Sequence, residues 1–345
     1  DVYKRQSNCH SDQSTEMLAA AASDWWGEAE AHYATAFAEA RTGAGNTGLL
    51  AVVNNSDLPG INRASALVAI AGPASETEAL AIQESLGDSD PLVRMAALQQ
   101  TVLLPPEARL QLVAPLLKDN IRSVRIEAAR VAAPLREYFG QDSGFGAAAD
   151  EYREAQFAVA SVPESHVALG DFESSLGNPD AALQHYAKAL EMDPSYALSR
   201  LNYADALRRF GDEPAAERLL REGLDGNETD ADLHHSLGLL LVRTDRSDEG
   251  LRELQTAARL APENPRSRYV VAIALNSSGQ SEAAVQTLRD AHEEFPGDFD
   301  IAWALATLLR DQGETAAARA VAEKLAQQRP NDPNVRALLQ SLNAA

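Results

Sequence analysis

The feature that most constrains this chain is a ladder of residues with a constant step. Gly177, Gly211, Gly279 and Gly313 fall on one line with a step of 34, and Asp245 stands on the remaining rung. A second ladder of the same step of 34 runs Pro194, Glu228, Pro262, Pro296 and Pro330. Small residues recur between them at Ala182, Ala216, Gly250, Ala284 and Ala318, and again at Ala189, Gly223, Ala257 and Ala291, where Leu325 breaks the run. Leu169, Tyr203, Leu237, Val271 and Leu305 supply a recurring apolar contact.

Each rung has a physical meaning. A glycine between two helical periods predicts the left-handed residue that ends the first helix. Small residues at fixed positions predict two helices in close approach. Asn178 ahead of Pro179 predicts a capping side chain before a proline at the first helical position, and Asp193-Pro194 and Ala261-Pro262 read as turns into the next unit. One helix pair cannot bury its own apolar face, so only stacked pairs give a continuous core. These ladders resemble the tetratricopeptide repeat, whose period is also 34 residues. The resemblance implies five units over residues 163–330 and an amphipathic capping helix over 331–345.

Upstream the period shortens. DLPGINRASAL (57–67), DSDPLVRMAAL (88–98) and DNIRSVRIEAA (119–129) align on Arg63, Arg94 and Arg125, two steps of 31. Asp90 is a natural N-cap before Pro91, and Val93, Ala97 and Leu98 recur at helical spacing. This section, residues 43–136, resembles short HEAT-like repeats, with Ile61 and Asn62 replacing the usual opening of the first copy and no proline in the third. Residues 146–160 predict one more helix, on which Ala148, Tyr152 and Ala155 fit the second-helix positions of a unit upstream of Pro163. With the Gly-rich QDSGFG before it, this helix makes a hinge-and-linker section over 137–162.

Residues 13–42 predict a helix pair, in which Trp25 and Trp26 are expected to pack in a core or between the helices. In segment 1–12, Cys9-His10 behind Ser7-Asn8 matches the tail of C-x-x-C-H, the attachment site of c-type haem, with Gln6 where the first Cys would stand. DVYKRQ has the look of a translated adapter, so these first residues are expected to be non-native. The segment order, haem-motif tail, HYATAFAEARTG, HEAT-like repeats and then tetratricopeptide repeats, resembles the C-terminal portion of multihaem c-type cytochromes of the bacterial envelope. That resemblance implies haem c in a full-length parent, with Cys9 and His10 as its remnant here, and an extracytoplasmic, periplasmic location; without it a cytoplasmic location is the alternative. The chain as it stands lacks any complete haem motif and is expected to hold no cofactor.

Composition removes several function classes. With 30 basic against 51 acidic residues the net charge is −21, a surface that repels nucleic-acid backbones and anionic membranes. No segment approaches the roughly 20 uninterrupted apolar residues needed to cross a bilayer. A lone Cys excludes an internal disulfide framework. His234-His235 are neighbours that point about 100° apart on a helix and do not converge on a metal. Gly-Phe-Gly at 144–146 lacks the Gly-Lys-Ser/Thr of a phosphate loop, and no nucleophile pattern is present, so no enzyme is expected.

What remains is a surface. In repeats of the family these ladders resemble, the first helix of each unit lines a concave face, at positions that here are Val167, Leu201, His235, Tyr269 and Trp303, and one turn on Asp171, Asp205, Leu239, Ile273 and Thr307. The line turns aromatic toward the C-terminus and is flanked by Arg266, Asn276 and Arg310. The expected fold is all-α, a right-handed superhelical solenoid of HEAT-like and then tetratricopeptide repeats. The expected function is a non-catalytic scaffold whose groove takes an extended or helical protein segment with an acidic group near Arg266 and Arg310. The alternatives are a free-standing cytoplasmic adaptor without haem, or the substrate-recognition arm of an enzyme.

Overall fold

The computed structural model describes residues 14–26, 33–41, 45–70, 75–329 and 332–344. Among them every regular element is an α-helix or a 3-10 turn, in two compact units, Asp1–Tyr152 and Arg153–Ala345. The first unit carries α1 (Thr15–Trp26), α2 (Ala34–Arg41), α3 (Thr47–Val53), α4 (Gly60–Ala69), α5 (Glu76–Ser85), α6 (Pro91–Gln100), α7 (Pro106–Val113) and α8 (Arg122–Ala132). The division between units falls within α9 (Phe145–Phe157), which begins one residue before its expected start.

α4, α6 and α8 start at residues 60, 91 and 122, so the step of 31 seen in sequence is a step of the backbone. Its three arginines explain the register. Arg63 forks onto Asp88; Arg94 donates from Nε and Nη2 to the two oxygens of Asp119 at 2.9 and 3.0 Å; Arg125 does the same to Glu151 at 2.8 and 2.6 Å. The donors left over turn back to carbonyls, Arg94 Nη1 to Asp88 O at 2.7 Å and Arg125 Nη1 to Asp119 O at 2.8 Å. Each aspartate also accepts the amide two residues on, Asp90 N at 2.8 Å for Asp88 and Ile121 N at 2.8 Å for Asp119. One carboxylate thus ties the turn entering a helix to the preceding copy. Burial alone would push the Asp88 carboxyl up, but the Arg63 hydrogen bond, the Asp90 amide and the charges of Arg63 and Arg94 hold it below the usual range. Asp90 caps α6 as expected, accepting from Leu92 N at 2.9 Å, and Leu49, Leu67, Ile70, Ile82, Leu98 and Leu117 fill the core beneath.

The second unit keeps its period to the residue. First helices begin at 163, 197, 231, 265 and 299: α10 (Pro163–Ser175), α12 (Ala197–Arg209), α14 (Ala231–Arg243), α16 (Pro265–Ser277) and α18 (Phe299–Asp311). Second helices begin at 179, 213, 247, 281 and 315: α11 (Pro179–Met192), α13 (Glu213–Gly226), α15 (Ser247–Leu260), α17 (Ser281–Glu294) and α19 (Thr315–Gln328). The capping helix α20 (Pro333–Ala344) starts 34 residues after α18, in the register of a further first helix. It covers the end of the core with Val335, Leu338 and Leu342.

Gly177, Gly211, Gly279 and Gly313 all have positive φ, and Asp245 joins them at 61°, the only non-glycine among the described residues to do so. At every rung the amide after that residue bonds back five positions, as in Asp212 N to Leu207 O at 2.8 Å and Arg246 N to Leu241 O at 2.9 Å. Asp245 therefore closes the same turn as the glycines. The small rungs Ala182, Ala216, Ala284 and Ala318 are at most 1% exposed. At Gly250 a Cβ would lie 2.7 Å from the Gly238 carbonyl oxygen, so the backbones of α14 and α15 touch. Leu325, the exception on its rung, is fully buried against the capping helix core.

Two expectations are corrected. Asn178 does not cap α11: its Nδ2 donates at 2.7 Å to the buried Glu173 carboxylate, which gains more from a donor than an exposed helix end does. Trp25 is 73% exposed and not in a core; the Trp26 side chain lies outside the described residues.

Removing Arg94 leaves the Asp119 carboxylate, whose side chain is 12% exposed, without its partner. Arg94→Ala should destabilise the first unit by about 3–5 kcal/mol in urea unfolding. Arg136→Ala, whose partner Glu137 is exposed, should cost less than about 1 kcal/mol. Asp245→Gly should stabilise the second unit by up to about 1 kcal/mol, and Gly279→Val should destabilise it by more than that, both read from thermal midpoints.

Candidate peptide-binding groove

The step of 34 puts equivalent side chains of α12, α14, α16 and α18 in one row. In the first of the two rows Val167 on α10 is buried at 4% exposure, whereas Leu239 and Ile273 of the second row, on the third and fourth units, are 43% and 37% exposed. Leu201, Asp205 and Leu239 line one cleft of about 170 Å³ between α12, α13 and α14. Leu220 and Leu240 also line it, with Arg208 and Arg243. Asp205 accepts from Arg208 at 2.6 Å.

A second, polar cleft of about 250 Å³ shares Asp205 and is lined by Asp171, Tyr186, Asn202 and Arg209. There the Tyr186 hydroxyl donates to Asp171 at 2.6 Å and Asn202 Nδ2 donates to the same oxygen at 3.0 Å. Burial and then the hydrogen bond to the Asp171 carboxylate push the Tyr186 phenol up, which favours its protonated, donating form. Its ring stacks on Tyr203 with centroids 6.1 Å apart and fills the space over Gly170, where a Cβ would lie 2.5 Å from it.

Farther along, several of the expected groove residues are held within the array. Trp303 stacks on Phe299 at 6.2 Å, Arg329 lies 3.7 Å over the Phe299 ring, and Tyr269 and Trp303 pack half-buried on the terminal core. The Thr307 hydroxyl donates back to Trp303 O at 3.0 Å. Asn276 accepts from the Ser281 hydroxyl at 2.8 Å, and Arg310 pairs with Asp311 at 2.8 Å. The guanidinium groups of Arg243 and Arg266 have no hydrogen-bond or ion-pair partner among the described residues. Cys9 and His10 lie outside the described residues.

The paired histidines diverge. His234 meets Glu253 at 2.6 Å and the Glu228 carbonyl at 3.0 Å, while His235 lies on the groove side, its imidazole pushed below the ordinary range by burial and then by the Arg266 charge. No group of three or more metal-ligating side chains occurs among the described residues, and no helix among them is long and apolar enough to cross a membrane. His185, 3.2 Å from His166 through their Nδ1 atoms, is likewise lowered by burial and by that neighbour, and His292 by burial and Lys324.

Leu220, which the first-helix count misses, comes from a second helix. Tyr186, Leu220, Leu254, Leu288 and Ala322 form another ladder of step 34, each at most 2% exposed, and Leu220 lines the cleft. That signal was available in the sequence. Arg243 carries none, because only the stacking of α14 against α12 and α13 brings it to a rim.

The family comparison decides what these ladders are. Tetratricopeptide repeat profiles match residues 175–240, 275–342 and 235–299. Residues 175–342 are tetratricopeptide repeats. Two curated relatives from Komagataeibacter xylinus align with the chain. Cellulose synthase 2 operon protein C is 34% identical over 152 residues, 43% of this chain and 12% of its own. Cellulose synthase operon protein C is 24% identical over 194 residues, 56% of this chain and 14% of its own. The chain thus spans about an eighth of the length of these relatives. Yeast Tom70 superposes with a TM-score of 0.54 at 14% identity, covering 82% of this chain and 59% of that one, a likeness of fold alone. The tetratricopeptide array is a helical solenoid, a fold that typically binds proteins or peptides and is typically non-catalytic.

A histidine whose folded pKa is depressed takes up its proton less readily than in the unfolded chain, so stability is full above pH 6.5 and falls as pH drops through that range. The urea midpoint should therefore decline between pH 8 and pH 5.5. A variant with His185, His235 and His292 all changed to Gln should show a flatter profile over the same window.

Proposed function

We propose that the tetratricopeptide array is a protein-interaction scaffold whose first-helix face takes an extended or helical segment of a partner. The observation that carries this is the row of Leu239 and Ile273, exposed apolar side chains one repeat apart, with half-buried Tyr269 beside them and the unpaired cation of Arg266 at the edge. Large exposed apolar side chains in a line are what a binding face shows and what a solvated face avoids. An acidic group of the partner meets Arg266 in this proposal; Arg310 serves less well, since Asp311 already engages it.

A random dodecamer phage library panned against the full chain tests the groove. Selected peptides should lose at least about tenfold in affinity on Ile273→Asp and several-fold on Arg266→Glu, measured by fluorescence anisotropy. Binding indifferent to every groove substitution would mean that this face serves only internal packing.

For the larger protein, the proposal from the sequence is an envelope multihaem cytochrome of which this array is the C-terminal docking arm, with HEAT-like repeats in the first unit and a periplasmic location. It rests on Cys9-His10 and segment order, and none of the relatives described above is a cytochrome. The likeness to the two Komagataeibacter proteins supports a second reading, an array belonging to a protein encoded with a cellulose synthase, and the free-standing adaptor is compatible with the same repeats. Sequencing the source locus separates them: further C-x-x-C-H motifs upstream support the cytochrome, and neighbouring cellulose synthase genes support the second reading.

A further inference from the structure

The cleft between α12, α13 and α14 has a composition that says what it takes. Its floor is four leucines, Leu201, Leu220, Leu239 and Leu240, from three helices. Its volume, about 170 Å³, is below the range of roughly 300–1,000 Å³ that encloses a cofactor or a drug-sized ligand. It suits one aliphatic or aromatic side chain.

The rim adds polarity. Of its three charges, Asp205 and Arg208 neutralise each other at 2.6 Å. Arg243, on the last turn of α14, is exposed and has no partner among the described residues. An exposed guanidinium beside an apolar cleft presents a flat fork of donors that matches a carboxylate in two parallel hydrogen bonds. Ser236 on the same wall offers a hydroxyl to a peptide backbone. The polar cleft across Asp205 has its acceptors already engaged, Asp171 by Tyr186 and Asn202, so the uncommitted charge here is positive.

We infer that this cleft is an anchor subsite for a partner segment bearing an apolar side chain within two residues of an aspartate or glutamate, the apolar group seated on the leucine floor and the carboxylate on Arg243. The inference rests on the groove reading above and names the chemistry of its occupant. It places the anchor at the second and third repeats, ahead of Tyr269 in the fourth and Trp303 in the fifth.

The same panned dodecamers test it in the full chain. They should share an apolar residue beside Asp or Glu. Arg243→Glu should weaken them by about tenfold or more, as expected for loss of a hydrogen bond to a charged group. Changing the peptide's acid to Lys should restore binding to Arg243→Glu and not to the parent chain. Leu239→Asp should abolish binding to both. Arg243 is exposed, so its variant keeps the fold, which far-UV circular dichroism checks. If selected peptides bind Arg243→Glu unchanged yet are lost on Ile273→Asp, the subsite is overturned while the groove stands. If no groove substitution alters binding, both are overturned.

Discussion

In the second unit everything depends on how closely the two helices of a pair can approach. One rung of alanine or glycine recurs in every helix pair from α10 to α19, and at Gly238 and Gly250 the backbones themselves are in contact. Close approach lets each pair bury its inner faces with modest side chains, but it leaves the outer apolar residues of each pair uncovered. Only the next pair can cover them. The left-handed residue at each tight turn sets the length of the link, and so every pair meets the next in the same way. A single period of 34 in the backbone follows from those two constraints together.

The first unit reaches regular stacking by another route. Its copies are joined by charge-assisted bidentate contacts, Arg63 and Arg94 forking onto a carboxylate of the next copy and Arg125 onto Glu151 of the linking helix α9, while the remaining donors of Arg94 and Arg125 hold a turn of their own. The Arg94–Asp119 pair should tolerate substitution least, since its side chains are only 10% and 12% exposed and either one left alone is a largely buried charge. The two units therefore should respond differently to perturbation: one through the volume at its helix crossings, the other through its ion pairs.

The groove is a consequence of the stacking and not an addition to it. Residues equivalent under a step of 34 line up along one face, and a substitution on one rung changes one segment of that face. That is why the face can hold buried Val167 in its first unit, exposed Leu239 and Ile273 in its third and fourth, and half-buried aromatics against the terminal core. Although the net charge is −21, Arg243 and Arg266 stand as cations without a partner among the described residues at the edges of an apolar strip.

The sequence by itself determined the all-α architecture, the positions of the turns, and the register of the repeats, because each rests on local requirements: a residue that tolerates positive φ, a small side chain at a crossing, a proline at a helix start. It also marked the three arginines of the first unit by their spacing, though not their partners, which lie 25 or 26 residues further along the chain. The tertiary structure alone decided which groove residues are available. Asn276 and Arg310 look equivalent to Arg266 when read along the chain, yet Ser281 and Asp311 occupy them in space. Leu220 and Arg243 share a cleft with Leu201 only because three helices meet there. Contacts between side chains on different helices depend on rotamers and on the crossing of those helices, and no periodicity in one strand of sequence encodes them.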